Sequence, residues 1–177
     1  CWVDIREFER ALAVTRRILN RDFTGKDAGR LGMLSSRLLE LYQADFQTRH
    51  LERALALTES MLDVFWDQEN GGFFFTASGQ TDLIHRSKEI YDGAIPSGNS
   101  VAYLNLIRLG RILSRADFMD KAQSIADAFS TQVNQIPLGH TQLMAGLLEA
   151  ESSAPEVVIS GDPDNSDTRE MIGKLRE

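Results

Sequence analysis

The sequence predicts a mainly α-helical fold in which antiparallel αα-hairpins repeat and form an arc of a toroid or solenoid. Three observations carry this. Apolar residues recur at helical spacing along most of the chain. Two helices return further along in a shared register, and one central stretch breaks the period altogether.

The first helix is expected from about Asp4 to Asn20, where Ile5, Phe8, Leu12, Thr15 and Leu19 share a face. A second, about Leu31 to Ala44, carries Leu34, Leu38, Leu41 and Tyr42. The third, about Thr48 to Phe65, places Leu51, Leu55, Thr58 and Leu62 together, while His50 at its start reads as solvated. The fourth, about Ser97 to Leu113, is apolar on most sides, with only Asn105, Arg108 and Arg111 interrupting. Such a helix is buried among neighbours. Helices at about Arg115 to Val133 and His140 to Ala150 follow, joined by short connections that favour antiparallel pairs.

The repeat is visible in the residues. Phe8-Glu9-Arg10-Ala11-Leu12-Ala13 returns as Leu51-Glu52-Arg53-Ala54-Leu55-Ala56, and Met119-Asp120-Lys121-Ala122 is a weaker copy 68 positions beyond Leu51. The same offset of 68 sets Leu38-Leu39-Glu40-Leu41 on Leu106-Ile107-Arg108-Leu109. Repeated αα-hairpins with an insertion of about 25 residues explain this spacing. Within the insertion Asn70-Gly71-Gly72 is a turn signal, Phe73–Thr76 reads as a strand, and Asp82–Arg86 as its partner. The expected β-hairpin occupies about 67–90. Beyond the hairpins (1–153), the β-branched run Glu156–Ser160, the turn Gly161-Asp162-Pro163 and a helix through Lys174 predict a short strand–helix element (154–177), the start of an appended α/β unit.

Composition narrows the function. Charged residues make up 25% of the chain and hydrophobic ones 42%, which is ordinary globular composition. A net charge of −7 without a basic cluster repels phosphate backbones, so nucleic acid is not an expected partner. No apolar run approaches the roughly 20 residues needed to span a bilayer, so no membrane partner is expected either. The one cysteine, Cys1, excludes an internal disulfide, and no signal peptide is visible. A cytoplasmic piece of a longer protein is the resulting expectation. Three scattered histidines give no metal-ligand spacing, and no phosphate-loop or dinucleotide motif appears, so no cofactor is expected.

Four motifs carry a family resemblance: Phe65-Trp66-Asp67, Gly71-Gly72-Phe73-Phe74, Arg86-Ser87-Lys88-Glu89 and Asp92-Gly93-Ala94-Ile95-Pro96-Ser97-Gly98-Asn99-Ser100. In order and spacing they resemble the YyaL and spermatogenesis-associated type of thioredoxin-domain protein. The resemblance runs from about Leu38 to Arg111 and more loosely to Ile159. It implies the C-terminal half of an (α/α)6 toroid, similar to those of N-acylglucosamine 2-epimerases and six-hairpin glycosidases. It also implies a thioredoxin-like domain in the same full-length protein. One departure stands out: Gly29-Arg30 occupy the place of the family's acidic pair.

The candidate site gathers around residues 86–100. Glu89 and Asp92 are the candidate acid and base, with Arg86 and Lys88 either tuning them or simply pairing with them. Ser97 and Asn99 are N-cap residues whose helix start also suits a sugar hydroxyl or an anion. Gly98 costs about 1 kcal/mol inside a helix and is explained by close approach of a ligand or another backbone. Tyr91, Trp66 and Phe74 complete the candidate ligand contacts, the last two as core or as stacking platforms for a sugar. His140 is a helix-start histidine and, through the epimerase resemblance, a candidate proton-transfer residue. Two functions follow. One is a sugar-like small-molecule pocket, epimerase/isomerase- or glycosidase-like if it is active. The other is a non-catalytic helical module supporting the thioredoxin-like domain.

Overall fold

The computed structural model describes residues 27–78, 86–153, 157–162 and 165–174. The helix expected at 4–20 lies outside these residues. Among the described residues the fold is helical: α1 (Asp27–Asp45), α2 (Thr48–Phe65), α3 (Gly98–Ile112), α4 (Ala116–Gln135), α5 (Thr141–Glu151) and α6 (Ser166–Lys174), with a 3-10 turn at Pro137–Gly139 before α5. The boundaries of α2 to α5 fall within two residues of the sequence expectation. Helix α1 starts four residues earlier than Leu31, so that Gly29 lies within its first turn.

Helices α1 and α2 form one antiparallel hairpin, α3 and α4 a second, and α3 lies between α1 and α5. Eleven residues of α3 are buried, as a helix enclosed by neighbours requires. The 68-residue repeat is a repeat of the core. On α2 the buried set includes His50, Ala54, Leu57, Met61 and Phe65; on α4 it is Phe118, Ala122, Ile125, Phe129 and Val133. Each pair is separated by 68 positions. This corrects the reading of His50 as solvated. It takes the place in the first hairpin that Phe118 takes in the second, and its Nε2 lies 3.1 Å from Asp45 Oδ2.

The insertion between α2 and α3 departs from the expected hairpin. Among the described residues it contains no strand, only an isolated antiparallel bridge between Trp66 and Phe73. The proposed partner strand falls outside the described residues except for Arg86. The physical reason lies in the backbone donors. Gly71 and Gly72 turn the chain with φ of 69° and 77°, values that favour glycine. The next three amides then go to three different acceptors. Phe73 donates to Asn99 Oδ1 at 2.7 Å, Phe74 to the Phe65 carbonyl at 2.8 Å and Phe75 to the Ser87 carbonyl at 2.8 Å. Those backbone groups are satisfied without a ladder. Likewise, Val157–Ser160 forms no strand; Val157 and Val158 are exposed, with no partner strand among the described residues. Helix α6, with no buried residue, is the part of the C-terminal element that forms.

Candidate functional site

Asp92 sits where three segments meet. Its Oδ1 accepts the Ser97 amide at 2.8 Å, at the entry to α3. Its Oδ2 accepts the amides of Gln142 at 2.9 Å and Leu143 at 3.3 Å, in the first turn of α5. Its own amide donates to the Gly139 carbonyl at 2.8 Å. One carboxylate therefore serves the open N–H groups of two helix starts, where a negative charge is also favoured by the helix dipoles. Both oxygens are occupied by this capping.

Ser97 and Asn99 complete the clamp. The Ser100 amide donates to Ser97 Oγ at 3.0 Å, the N-cap bond expected of serine. The carboxamide of Asn99 is buried and reaches back into the insertion: Nδ2 donates to the carbonyls of Phe73 at 3.0 Å and Glu89 at 2.8 Å, while Oδ1 accepts the Phe73 amide. A side chain that reads as a helix cap is thus a three-bond brace between α3 and the insertion. Gly98 is explained by another backbone. A Cβ there would stand 3.2 Å from the Gly29 Cα and 3.4 Å from its amide nitrogen. The missing Cβ at Gly98 is what lets α1 and α3 approach this closely, since a Cβ at Gly29 would meet the Gly98 Cα only at 3.9 Å, an ordinary contact.

The cations are engaged nearby. Lys88 Nζ pairs with Asp67 Oδ2 at 2.6 Å and also donates to the Gly71 carbonyl. Burial pushes the Asp67 carboxyl up, but the Lys88 bond and the amides of Glu69 and Asn70 outweigh it and hold the group well below the usual carboxylate range. Arg86 donates twice to the Thr76 carbonyl, at 3.2 and 2.6 Å, and its guanidinium lies 4.0 Å from the Phe74 ring centroid. Burial lowers the Arg86 pKa, with Asp67 opposing. Phe74 is thereby covered by cations, with Lys88 5.2 Å from its centroid.

His140 is buried at the start of α5, its Nδ1 3.1 Å from the Ile90 carbonyl and its ring edge-on to Tyr91 at 6.2 Å. Tyr91 is largely exposed and flanks Gly139, where a Cβ would lie 2.9 Å from its ring. Trp66 faces elsewhere. It packs edge-on to Phe73 at 5.1 Å, carries Lys121 over its ring at 4.6 Å and lines a separate acidic groove beside α4. The structure thus groups Asp92, Ser97 and His140 around the starts of α3 and α5. Arg86, Lys88 and Phe74 lie around the insertion, Asn99 and Gly98 join the two groups, and Trp66 stands apart.

Glu89 alone among these candidates is an exposed acid without a side-chain bond to the described residues; its carbonyl is what Asn99 uses. It lines a cavity of about 60 Å³ with Phe73, Phe74, Phe75, Gly98 and Asn99. That is room for about two waters, whereas small-molecule pockets run to roughly 300–1,000 Å³. Among the described residues no group of His, Cys, Asp and Glu is placed to hold a metal ion, and no helix is long and apolar enough to cross a membrane.

Comparison with known proteins adds a relative. No family model matches the chain. Over 136 residues, 76% of the chain, it is 37% identical to spermatogenesis-associated protein 20 of Rattus norvegicus and 35% identical to that of Homo sapiens. The chain is homologous to a segment of that protein. The match spans 17% of each of these relatives' length, so the chain covers only about a sixth of them. An uncharacterized protein of Caenorhabditis elegans is 29% identical over 141 residues.

Proposed function

We propose that this chain is a non-catalytic helical-repeat module of a protein of the spermatogenesis-associated protein 20 type, and that the Asp92–Ser100 motif is its inter-helix clamp. In this reading the hairpins continue an (α/α) toroid that supports a thioredoxin-like domain of the full-length polypeptide. The observation that carries it is that every polar side-chain atom of Asp92 and Asn99 is bonded to backbone. Their side-chain oxygens and the Asn99 amide nitrogen all bond to backbone groups at helix starts and in the insertion. A general base is turned towards a substrate proton, whereas both Asp92 oxygens are turned to backbone amides of the clamp. The homology supports the family, and the shared 68-residue core repeat supports a helical array that can be extended.

The test compares Asp92→Asn with Glu89→Gln by thermal unfolding and amide hydrogen exchange. A clamp predicts that Asp92→Asn lowers the melting temperature and loosens the first turns of both α3 and α5, while Glu89→Gln leaves both unchanged. An Asp92→Asn protein with wild-type stability and exchange would sink the proposal.

A further inference from the structure

The apolar side chains left in water are not scattered evenly. Four of the most exposed large ones lie at the end of the array where α3 and α5 start and α4 finishes: Leu138 at 89%, Ile95 at 69%, Ile136 at 61% and Tyr91 at 60%. The clamp holds them at one place. Tyr91 precedes Asp92, whose amide donates to the Gly139 carbonyl. A Cβ on Gly139 would meet both the Tyr91 ring, at 2.9 Å, and Ile136 Cγ2, at 3.5 Å. Leu138 stands in the same 3-10 turn, and Ile95 is on the short loop closed by the bond from the Ser97 amide to Asp92 Oδ1. The same end is short of charge. Neither 93–107 nor 128–148 contains an Asp, Glu, Lys or Arg, in a chain of which 25% is charged. Of the acids beside Tyr91 in the sequence, Asp92 is given to the clamp and only Glu89 is free of it. Apolar exposure with charge depleted is the composition of a protein–protein contact.

We infer that this face is a contact between two copies of the chain, paired about a twofold axis. The inference goes beyond the module reading, which does not depend on it. The occupant follows from charge. A chain of net charge −7 meets a basic partner best through acidic side chains at the contact. A face cleared of charge suits a partner of like sign, since like charges brought together there would repel. A second copy has the same sign by necessity. The face also complements itself, because a twofold contact sets one patch against its own copy. Apolar side chains then meet apolar ones, and the exposed carboxamides of Asn134 and Gln135 both donate and accept. The helical array grows through the sides of its hairpins rather than their ends, so the pairing leaves that route open. The four side chains cover on the order of 500 Å² per copy, about 1,000 Å² for the pair, the lower bound of a specific interface. A contact of that size gives a weak dimer, with a dissociation constant on the order of 10–100 µM.

Sedimentation velocity on the full chain over a range of concentrations tests this. A concentration-dependent dimer is expected, and it should tighten as salt is raised, because screening weakens the repulsion between two acidic copies. Leu138→Glu and Ile95→Glu, both at largely exposed positions, should each weaken it at least tenfold with an unchanged melting temperature. Val158→Glu adds the same charge to an exposed apolar residue beyond α5 and should leave the dimer as it is. A chain that stays monomeric at about 1 mM, roughly ten times the weakest expected constant, overturns the inference and leaves the face to a different protein. So does a dimer that survives both glutamates at the face, one that Val158→Glu disrupts equally, or one that loosens in salt. None of these outcomes touches the clamp, whose test is stability.

Discussion

Helices α3 and α5 meet at both ends, and the two meetings are chemically unlike. At their starts the contact is a carboxylate, an amide side chain and a serine, buried or half-buried, with their oxygens given to backbone N–H groups. Towards their ends the contact is the Arg108–Glu149 ion pair, with 21% and 33% of the side-chain surfaces exposed, on the wall of an open groove. The first arrangement is costly to disturb because a lost partner strands a buried amide. The second is cheap to disturb because water replaces what is lost. A dense motif in sequence can therefore mark architecture, while the polar groups left open to water sit in helical stripes that look like ordinary surface.

The sharpest way to break this contrast is Asn99→Leu. It removes three hydrogen bonds and leaves the Phe73 amide and the carbonyls of Phe73 and Glu89 without their partner. Because part of that loss is recovered by water at the Glu89 side, a destabilisation of about 3–4 kcal/mol is expected. Urea unfolding measures it, and the insertion should lose amide protection before the helices do. Asp92→Ala comes next. Two helix starts lose their cap together, at about 1 kcal/mol each, so about 2 kcal/mol is expected. For a domain of this size that is a fall of about 4–8 °C in melting temperature.

Lys88→Met probes the same region through pH. Asp67 is held well below the usual carboxylate range in the folded state, so its contribution is fully present above about pH 4 and is lost as the pH falls below that. Without Lys88, burial raises the folded-state carboxyl towards its unfolded range, so the loss of stability below about pH 4 must be smaller than in the wild type. Stability measured from pH 7 to pH 3 checks both parts. The variant should be about 2 kcal/mol less stable at pH 7, since the buried carboxylate keeps its amide bonds but loses its counter-charge. Coincident pH profiles would show that the amides alone hold Asp67 low.

How much of this was legible in the sequence differs between the two regions. The helices were, because the 3.6-residue period and the 68-residue offset report the core directly, and His50 itself becomes readable once aligned with Phe118. The insertion was not. Phe73-Phe74-Phe75 has the composition of a strand, yet its amides are claimed by Asn99, Phe65 and Ser87, two of which lie far along the chain. The role of Asp92 was equally hidden, since the amides it caps at Gln142 and Leu143 are 50 and 51 positions away. The groove was hidden for a different reason. Val101, Leu104 and Arg108 are one stripe among several on a nearly all-apolar helix, and only the packing of α1 and α5 beside it turns that stripe into a wall.

Arg108→Met examines the open end. Glu149 loses a bidentate partner but stays within reach of water, so the cost should be at most about 1 kcal/mol and should shrink further in high salt. A cost near that of Asp92→Ala would mean that the two ends are not as different as their exposure indicates.

Glu89→Gln has the smallest expected effect and is the most discriminating within the motif. Glu89 stands between residues that are all committed, and its neighbour Lys88 turns instead to Asp67. Only its backbone carbonyl is used, and a glutamine presents the same carbonyl to Asn99. The substitution removes a charge from an exposed position and nothing else, so stability should change by less than about 0.5 kcal/mol. If the variant instead loses as much as Asp92→Ala, the glutamate carboxylate takes part in the clamp and no acid in the motif is left over. If stability holds, the motif contains one carboxylate that architecture does not explain, set beside a cavity too small for a sugar.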